Sequence, residues 1–186
     1  MKLTRTPFYF LRHGQTDWNL ENRAQGQTDV PLNDVGLLQA RSACAIVEPL
    51  QIQTICSSPL SRALATAQII GDSIAKPVQI LDDLAECSWG IQEGQTKSTW
   101  YSDWKNERKT PTGAEVYSEF LIRALAGINK ALENTGPVLI VAHGGVYWAI
   151  QKYAGLGEES DLPNAAPVYH DPIGNKSTLW QASPIS

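Results

Sequence analysis

Two of the three histidines in the chain stand in matching surroundings. His13 lies in Arg12-His13-Gly14, directly behind the apolar run Phe8-Tyr9-Phe10-Leu11. His143 lies in His143-Gly144-Gly145, directly behind Val138-Leu139-Ile140-Val141-Ala142. Short apolar runs of this kind read as buried β-strands. Both imidazoles are therefore expected at the carboxyl ends of strands, where open α/β sheets bind ligands. Arg62 adds a cation in the first turn of a predicted helix, although the partial positive charge of a helix start disfavours a guanidinium. That conflict disappears when an anion sits there, because helix N-termini and arginine forks both bind phosphate. Gly14, Gly144 and Gly145 would let backbone approach such a ligand closely. Taken singly, either histidine reads as a hydrogen-bonded surface residue and Arg62 as half of a surface ion pair. Two histidines and two arginines converging at strand ends read instead as an anion site.

Other uses of these residue types find less support. Paired histidines can hold a metal, but no third ligand stands at a zinc spacing and no His-Glu-x-x-His helix is present. Neighbouring arginines would also repel a cation. There is no Gly-x-Ser-x-Gly nucleophile elbow and no Gly-x-x-x-x-Gly-Lys-Ser/Thr phosphate loop. The expectation is therefore a site without metal or other cofactor.

Bulk properties narrow the class further. A chain of 186 residues with 42% hydrophobic residues fits one domain spanning residues 1–186. A formal net charge of −4 argues against a general nucleic-acid binder. Cys44, Cys56 and Cys87 form neither a disulfide framework nor a zinc pattern, and free thiols suit the cytoplasm. No apolar stretch approaches membrane-spanning length, and the one near the N-terminus is too short for a signal-peptide core.

The elements that must position these residues alternate between strand and helix, which predicts an α/β fold with a mostly parallel sheet. Strands are expected at 8–11, 53–56, 78–81 and 138–142, with an edge strand over Ser177 to Trp180. Asn33 is expected to cap a helix reaching about Glu48, with Val35, Leu38, Ala45 and Ile46 on its apolar face. Ser57-Ser58-Pro59 reads as a cap followed by proline in the first turn of the next helix, which carries Ala63, Ala67 and Ile70. A third helix over 115–133 would bury Phe120, Leu121, Leu125, Ile128 and Leu132. A fourth runs from Val146 to Tyr153. Asn19 to Pro31 and Glu158 to Gly174 read as loops. The stretch from Asp82 to Gly113 carries Trp89, Trp100 and Trp104, and is too long for a plain loop. It reads as a functional cover or a segment containing short helices.

At this point the residues resemble a family. Phe10-Leu11-Arg12-His13-Gly14-Gln15-Thr16-Asp17-Trp18-Asn19 looks like the signature of the histidine phosphatase superfamily, which includes the phosphoglycerate mutases. The resemblance extends through Gln25-Gly26, Asp29 to Leu32, Ser57 to Ala63, Leu84 to Gly94 and Val141 to Gly145. It implies a three-layer α/β/α, phosphoglycerate mutase-like fold with a short cover at about residues 87–113. It also implies that His13 is a nucleophile that becomes a phosphohistidine. A hydrogen bond from the other ring nitrogen would fix the tautomer, with the Gly14 carbonyl as a candidate acceptor.

By the same resemblance, Arg12, Arg62 and His143 would stabilise the charge that spreads over the transferring phosphoryl oxygens. Glu86 occupies the family's acid position. It needs a raised pKa to donate a proton near neutral pH, and could then activate water. From residue type alone Glu86 reads as an ordinary loop carboxylate. Asn19, Gln25, Gly26 and Gly144 fall where the family contacts substrate or phosphate.

The expected activity is metal-independent hydrolysis of a small-molecule phosphomonoester, without nucleic-acid or membrane partners and with a homodimer left open. A phosphoglycerate-type mutase is the alternative, though the short cover and early end of the chain favour transfer to water. A non-catalytic phosphate-binding regulator is a further alternative, and retention of His13 and Glu86 speaks against it. One departure stands out. Many relatives place an arginine where this chain has Tyr147-Trp148. Trp89, Trp100, Tyr101, Trp104 and Tyr117 are expected either to pack the cover onto the body or to form a wall for the leaving group.

Overall fold

The computed structural model describes residues 1–157, 162–174 and 180–185. The chain runs β1 (Phe8–Arg12), α1 (Asp17–Leu20), α2 (Asp34–Val47), β2 (Thr54–Ser57), α3 (Ser61–Ser73) and β3 (Val78–Ile80). It continues through α4 (Thr99–Lys105), α5 (Tyr117–Ala131), β4 (Val138–Ala142), α6 (Gly144–Ala154), β5 (Pro167–Pro172) and β6 (Trp180–Pro184). The strands form one sheet in the order β3-β2-β4-β1-β5-β6. The first four of that order are mutually parallel, and β5 and β6 add on antiparallel.

Strand β4 shows why helices cover both faces. All five of its residues are buried, as expected of a parallel strand covered on both sides. Val138, Ile140 and Ala142 point into one core with Phe120, Leu121, Leu125 and Ile128 of α5. Leu139 and Val141 point into the other with Ala43 and Val47 of α2 and Ala67 and Ile70 of α3. The result is the expected three-layer α/β/α arrangement.

Pairing continues past the strand ends. The His13 amide donates to the Ala142 carbonyl at 3.0 Å, and the Ser58 amide donates to the Val141 carbonyl at 3.1 Å. Three chain segments therefore leave the sheet side by side, carrying His13, Ser58 and His143.

Several local expectations change. Val35 and Leu38 of α2 are 47% and 60% exposed, while Gly36, Ala40, Ala43 and Val47 face inward. The face is set by close contact rather than by the largest apolar side chains. A Cβ on Gly14 would lie 2.5 Å from the Gly36 carbonyl oxygen, and one on Gly36 would overlap the Gln15 backbone. Helix α3 begins at Ser61, so Pro59 lies outside it and neither Ser57 nor Ser58 caps it. The Asp29 carboxylate instead accepts from the Ser61 amide at 2.8 Å.

The expected loop over 19–31 is preceded by the short α1, which Thr16 caps reciprocally with Asn19. The expected loop over 158–174 contains β5. Of the expected edge strand, Ser177 to Leu179 lie outside the described residues, and β6 begins at Trp180. The cover holds a 3-10 turn at Gly90–Gln92 and the seven-residue α4. No helix among the described residues is long and apolar enough to cross a membrane.

Gly36→Ala tests the contact between α2 and the end of β1. At an ordinary helix interior this change stabilises by up to ~1 kcal/mol. Here overpacking should make it destabilising by about 1–3 kcal/mol in urea unfolding. A stabilised variant would contradict the close packing.

Candidate active site

His13 leaves the end of β1 with its ring buried. Its Nδ1 lies 2.7 Å from the Gly14 carbonyl oxygen. A carbonyl only accepts, so Nδ1 carries the proton and the neutral ring keeps its lone pair on Nε2. The ring is held neutral because burial, then the Arg62 and Arg12 charges, push its pKa well below 6.5, against the Gly14 hydrogen bond. The Asn164 side-chain amide donates to the His13 carbonyl at 2.7 Å and steadies the backbone there.

Two guanidinium groups flank His13. Arg62, in the first turn of α3, donates through Nη2 to the Gly26 carbonyl at 2.7 Å and through Nη1 to the Thr28 carbonyl at 3.0 Å. Burial lowers its pKa to about 10 despite Glu86, Asp29 and Glu93, so it stays charged at neutral pH. The unfavourable helix end is thus offset by two carbonyls and nearby carboxylates. Arg12 donates through Nη1 to the Leu162 carbonyl at 2.8 Å. Neither Arg12 Nε nor Arg62 Nε has a partner among the described residues, although both are buried.

His143 sits behind His13, with ring centroids 5.2 Å apart. Its Nε2 lies 2.7 Å from Ser58 Oγ, and its buried Nδ1 has no partner among the described residues. Burial and then the Arg62 charge hold its pKa well below 6.5.

Glu86 comes from the segment between β3 and α4. One carboxylate oxygen accepts from the Cys87 amide at 2.9 Å and the other from the Gly145 amide at 3.1 Å. Gly145 belongs to the first turn of α6, so the carboxylate occupies a helix N-terminus, a favourable place for an anion. A Cβ on Gly145 would overlap the Glu86 carboxylate and Phe120, so the approach requires glycine. Arg123 grips this segment from below, donating to the carbonyls of Asp83, Ala85 and Glu86 and forking onto Glu115 at 2.8 Å.

Arg12, His13, Arg62 and Glu86 border one pocket. Asn19, Gln25, Gly26 and Gly144 border it too, whereas His143 lies beneath it. The remaining wall consists of Arg23, Trp89, Lys97, Gly145 and Trp148. The sequence offers Trp89 as one candidate for such a wall and names Trp148 without placing it there; Arg23, Lys97, Ser58 and Arg123 are not among its candidate site residues. In the sequence Ser58 reads only as part of a helix cap. Trp104 is fully buried and donates its indole N–H to the Glu115 carbonyl at 2.8 Å. It packs the cover onto the body and does not border the pocket.

Comparison with known proteins gives concordant results. Residues 8–169 match the family model described as histidine phosphatase superfamily (branch 1). The chain is 38% identical over 148 residues to an uncharacterized phosphatase, PhoE, of Bacillus subtilis (strain 168), covering 78% of this chain and 75% of that one. It is 34% identical over 148 residues to a probable phosphoglycerate mutase, GpmB, of Proteus mirabilis (strain HI4320), covering 73% and 68% respectively. Among solved structures, mycobacterial glucosyl-3-phosphoglycerate phosphatase in complex with VO3 matches with a TM-score of 0.79 at 27% identity, covering 96% of this chain and 97% of that one.

The buried imidazoles make stability depend on pH. Like His13 and His143, His170 has a lowered pKa, brought from 6.5 to about 4 by burial. The unfolded chain therefore binds protons first as pH falls through 6.5. The stability these groups contribute is complete above 6.5 and is lost below it, for His170 between 6.5 and about 4. His170→Phe should flatten that part of the profile in urea unfolding measured from pH 7.5 to 4. A fall as steep as in the parent protein would show that His170 is not among the groups responsible.

Proposed function

We propose that this chain, which belongs to the histidine phosphatase superfamily, hydrolyses small phosphomonoesters through a phosphohistidine on His13. The observation that carries this reading is a neutral imidazole with its proton on Nδ1, flanked at the same pocket by two guanidinium groups whose buried Nε atoms have no partner among the described residues: Arg12 and Arg62. Buried polar atoms are ordinarily satisfied. A phosphoryl group offers oxygens in several directions and would satisfy donors from both segments.

In the first step His13 Nε2 attacks phosphorus and the ester P–O bond breaks. The leaving oxygen takes a proton from Glu86, acting as general acid. In the second step Glu86, now a carboxylate, takes a proton from water as that water attacks the phosphohistidine. Orthophosphate leaves and neutral His13 returns. Arg12 and Arg62 supply fixed positive charge to the equatorial oxygens, so the chemistry calls for no metal. The free thiols Cys44, Cys56 and Cys87 suit a cytoplasmic enzyme.

Transfer to a second phosphoglycerate is the other reading, favoured by the similarity to a probable phosphoglycerate mutase. Hydrolysis is preferred because the cover is only a 3-10 turn and the short α4, leaving the pocket open to water. The leaving group would meet Trp89 and Trp148 together with Arg23 and Lys97.

The expected result in a phosphate-release screen is turnover that persists with chelator present. His13→Ala should lose about a thousandfold or more. Glu86→Gln should lose about 10²- to 10⁴-fold on alkyl phosphates but far less on p-nitrophenyl phosphate, whose leaving group needs little protonation. Phosphoryl retained on a phosphoglycerate acceptor, in place of released phosphate, would favour the mutase reading.

The two tryptophan environments separate the same way. Trp148, only 3% exposed, also packs the core, so Trp148→Ala should destabilise as well, but it should raise KM for aryl esters more than for small alkyl esters. Trp104→Ala should destabilise by about 3–5 kcal/mol and change all esters alike. Equal KM changes in Trp148→Ala would remove it from the leaving-group wall.

A further inference from the structure

Glu93 lies on the rim of the site and does not border the pocket, yet its carboxylate gathers four donors. One oxygen accepts from the Gln27 amide at 3.0 Å and the Trp89 amide at 3.1 Å. The other accepts from the Thr28 amide at 2.9 Å and from the Thr28 hydroxyl. The segment held in this way is the one whose Gly26 and Thr28 carbonyls grip the Arg62 guanidinium. Gly26 has a φ of +57°, and a Cβ there would overlap the Glu93 carboxylate. Glycine is thus required both by the backbone conformation and by the approach of Glu93.

We propose that Glu93 is a positioning residue for the phosphate pocket. It holds the Gly26–Thr28 carbonyls in register with Arg62 and ties that grip to Trp89 on the leaving-group wall. The residue acts through Arg62 and touches no reacting atom. Without its carboxylate, the Gln27 and Trp89 amides lose their acceptor and the Thr28 amide keeps only the Gln25 carbonyl at 3.1 Å, so the segment no longer fixes the direction of the guanidinium. This inference rests on the reading of the pocket as a phosphate site, and it predicts coupling between two side chains that share no hydrogen bond.

The physical reason for a carboxylate is the count of donors. All four converge on two oxygens, so a neutral amide in the same place would turn its NH2 group toward two of them. Glu93→Gln should therefore lie between the parent and Glu93→Ala, not match the parent.

The test is a double-mutant cycle on Glu93 and Arg62, read by kcat/KM for p-nitrophenyl phosphate and by calorimetric binding of orthovanadate. Glu93→Ala is expected to lower kcat/KM about 10- to 100-fold, as misplaced catalytic groups do, and to weaken orthovanadate binding. In an Arg62→Ala background the same change should cost less than about threefold, because the group it positions is gone. Glu93→Gln, the milder change, carries the same cycle if the alanine variant does not fold.

Equal fold-losses in both backgrounds, or unchanged orthovanadate binding in Glu93→Ala, would overturn the proposal. If the parent protein binds orthovanadate with the expected coupling but hydrolyses no ester, the hydrolase reading falls and the role of Glu93 stands. If hydrolysis is robust and insensitive to Glu93, the opposite holds. A parent protein that neither binds orthovanadate nor turns over overturns both.

Discussion

Two guanidinium groups and two imidazoles share one largely buried site, and the rest of the molecule is arranged around the cost of that. Burying charge is unfavourable unless it is paired and hydrogen-bonded. Here the compensation comes mostly from backbone carbonyls: Gly26 and Thr28 for Arg62, and Leu162 for Arg12. Carbonyls lend partial negative charge without forming tight ion pairs, so the net positive field survives and is available to an anion. Burial first, and then the same field, keeps His13 and His143 neutral. A site suited to an anion therefore also holds the His13 imidazole in the unprotonated form.

Neutrality would be of little use without a defined tautomer, and the fold supplies that locally. The Gly14 carbonyl fixes Nδ1 as the donor. Gly14 is itself pinned by its amide bond to Thr66 Oγ1 at 3.1 Å and by the abutting Gly36. Thr66 in turn donates to the Arg62 carbonyl at 2.7 Å. One short chain of contacts thus links the tautomer of His13 to the helix start that carries Arg62. The sheet contributes the coarse placement and the glycines allow the last approach, which a Cβ at either position would block.

What could be read from the sequence follows from how local each signal is. An apolar run ending in histidine is a local pattern, so the two strand ends and their imidazoles were legible. So was Arg62, because its charge conflicts with the dipole of its own helix. Ser58 was misread as a cap because its partner, His143, lies 85 residues away. Arg123 escaped notice because, Glu115 apart, what it grips is three backbone carbonyls, which leave no trace in residue identity. The face of α2 was misjudged because Gly36 outranks Val35 and Leu38 once backbone approach, not apolar area, decides what turns inward. Strand β5 was hidden by the prolines at both its ends, which read as loop signals although a strand's first residue tolerates proline.

The two halves of the pocket have different origins, and that has a consequence for how such a protein can change. The half that would meet phosphate is built on strand ends and helix starts, where each group is fixed by backbone hydrogen bonds. The half that would meet the leaving group is built from Trp89, Lys97 and Trp148, which belong to the cover and to α6. There the fixing contacts are between side chains: Trp89 meets Trp100, Tyr101 and Trp104 edge-on, Lys105 lies 4.6 Å over the Trp148 ring, and Lys97 lies 4.9 Å over Tyr101. Such contacts are worth about 0.5–1.5 kcal/mol for an aromatic pair and about 0.5–1 kcal/mol for an exposed cation over a ring. Individually they are easier to exchange than a buried backbone bond, whose loss leaves an unsatisfied polar group. Helix α6 serves both halves: the Gly145 amide in its first turn holds Glu86, and Trp148 on the same helix borders the pocket. The chemistry and the choice of ester are thus encoded in separable sets of contacts, joined at the carboxylate of Glu93.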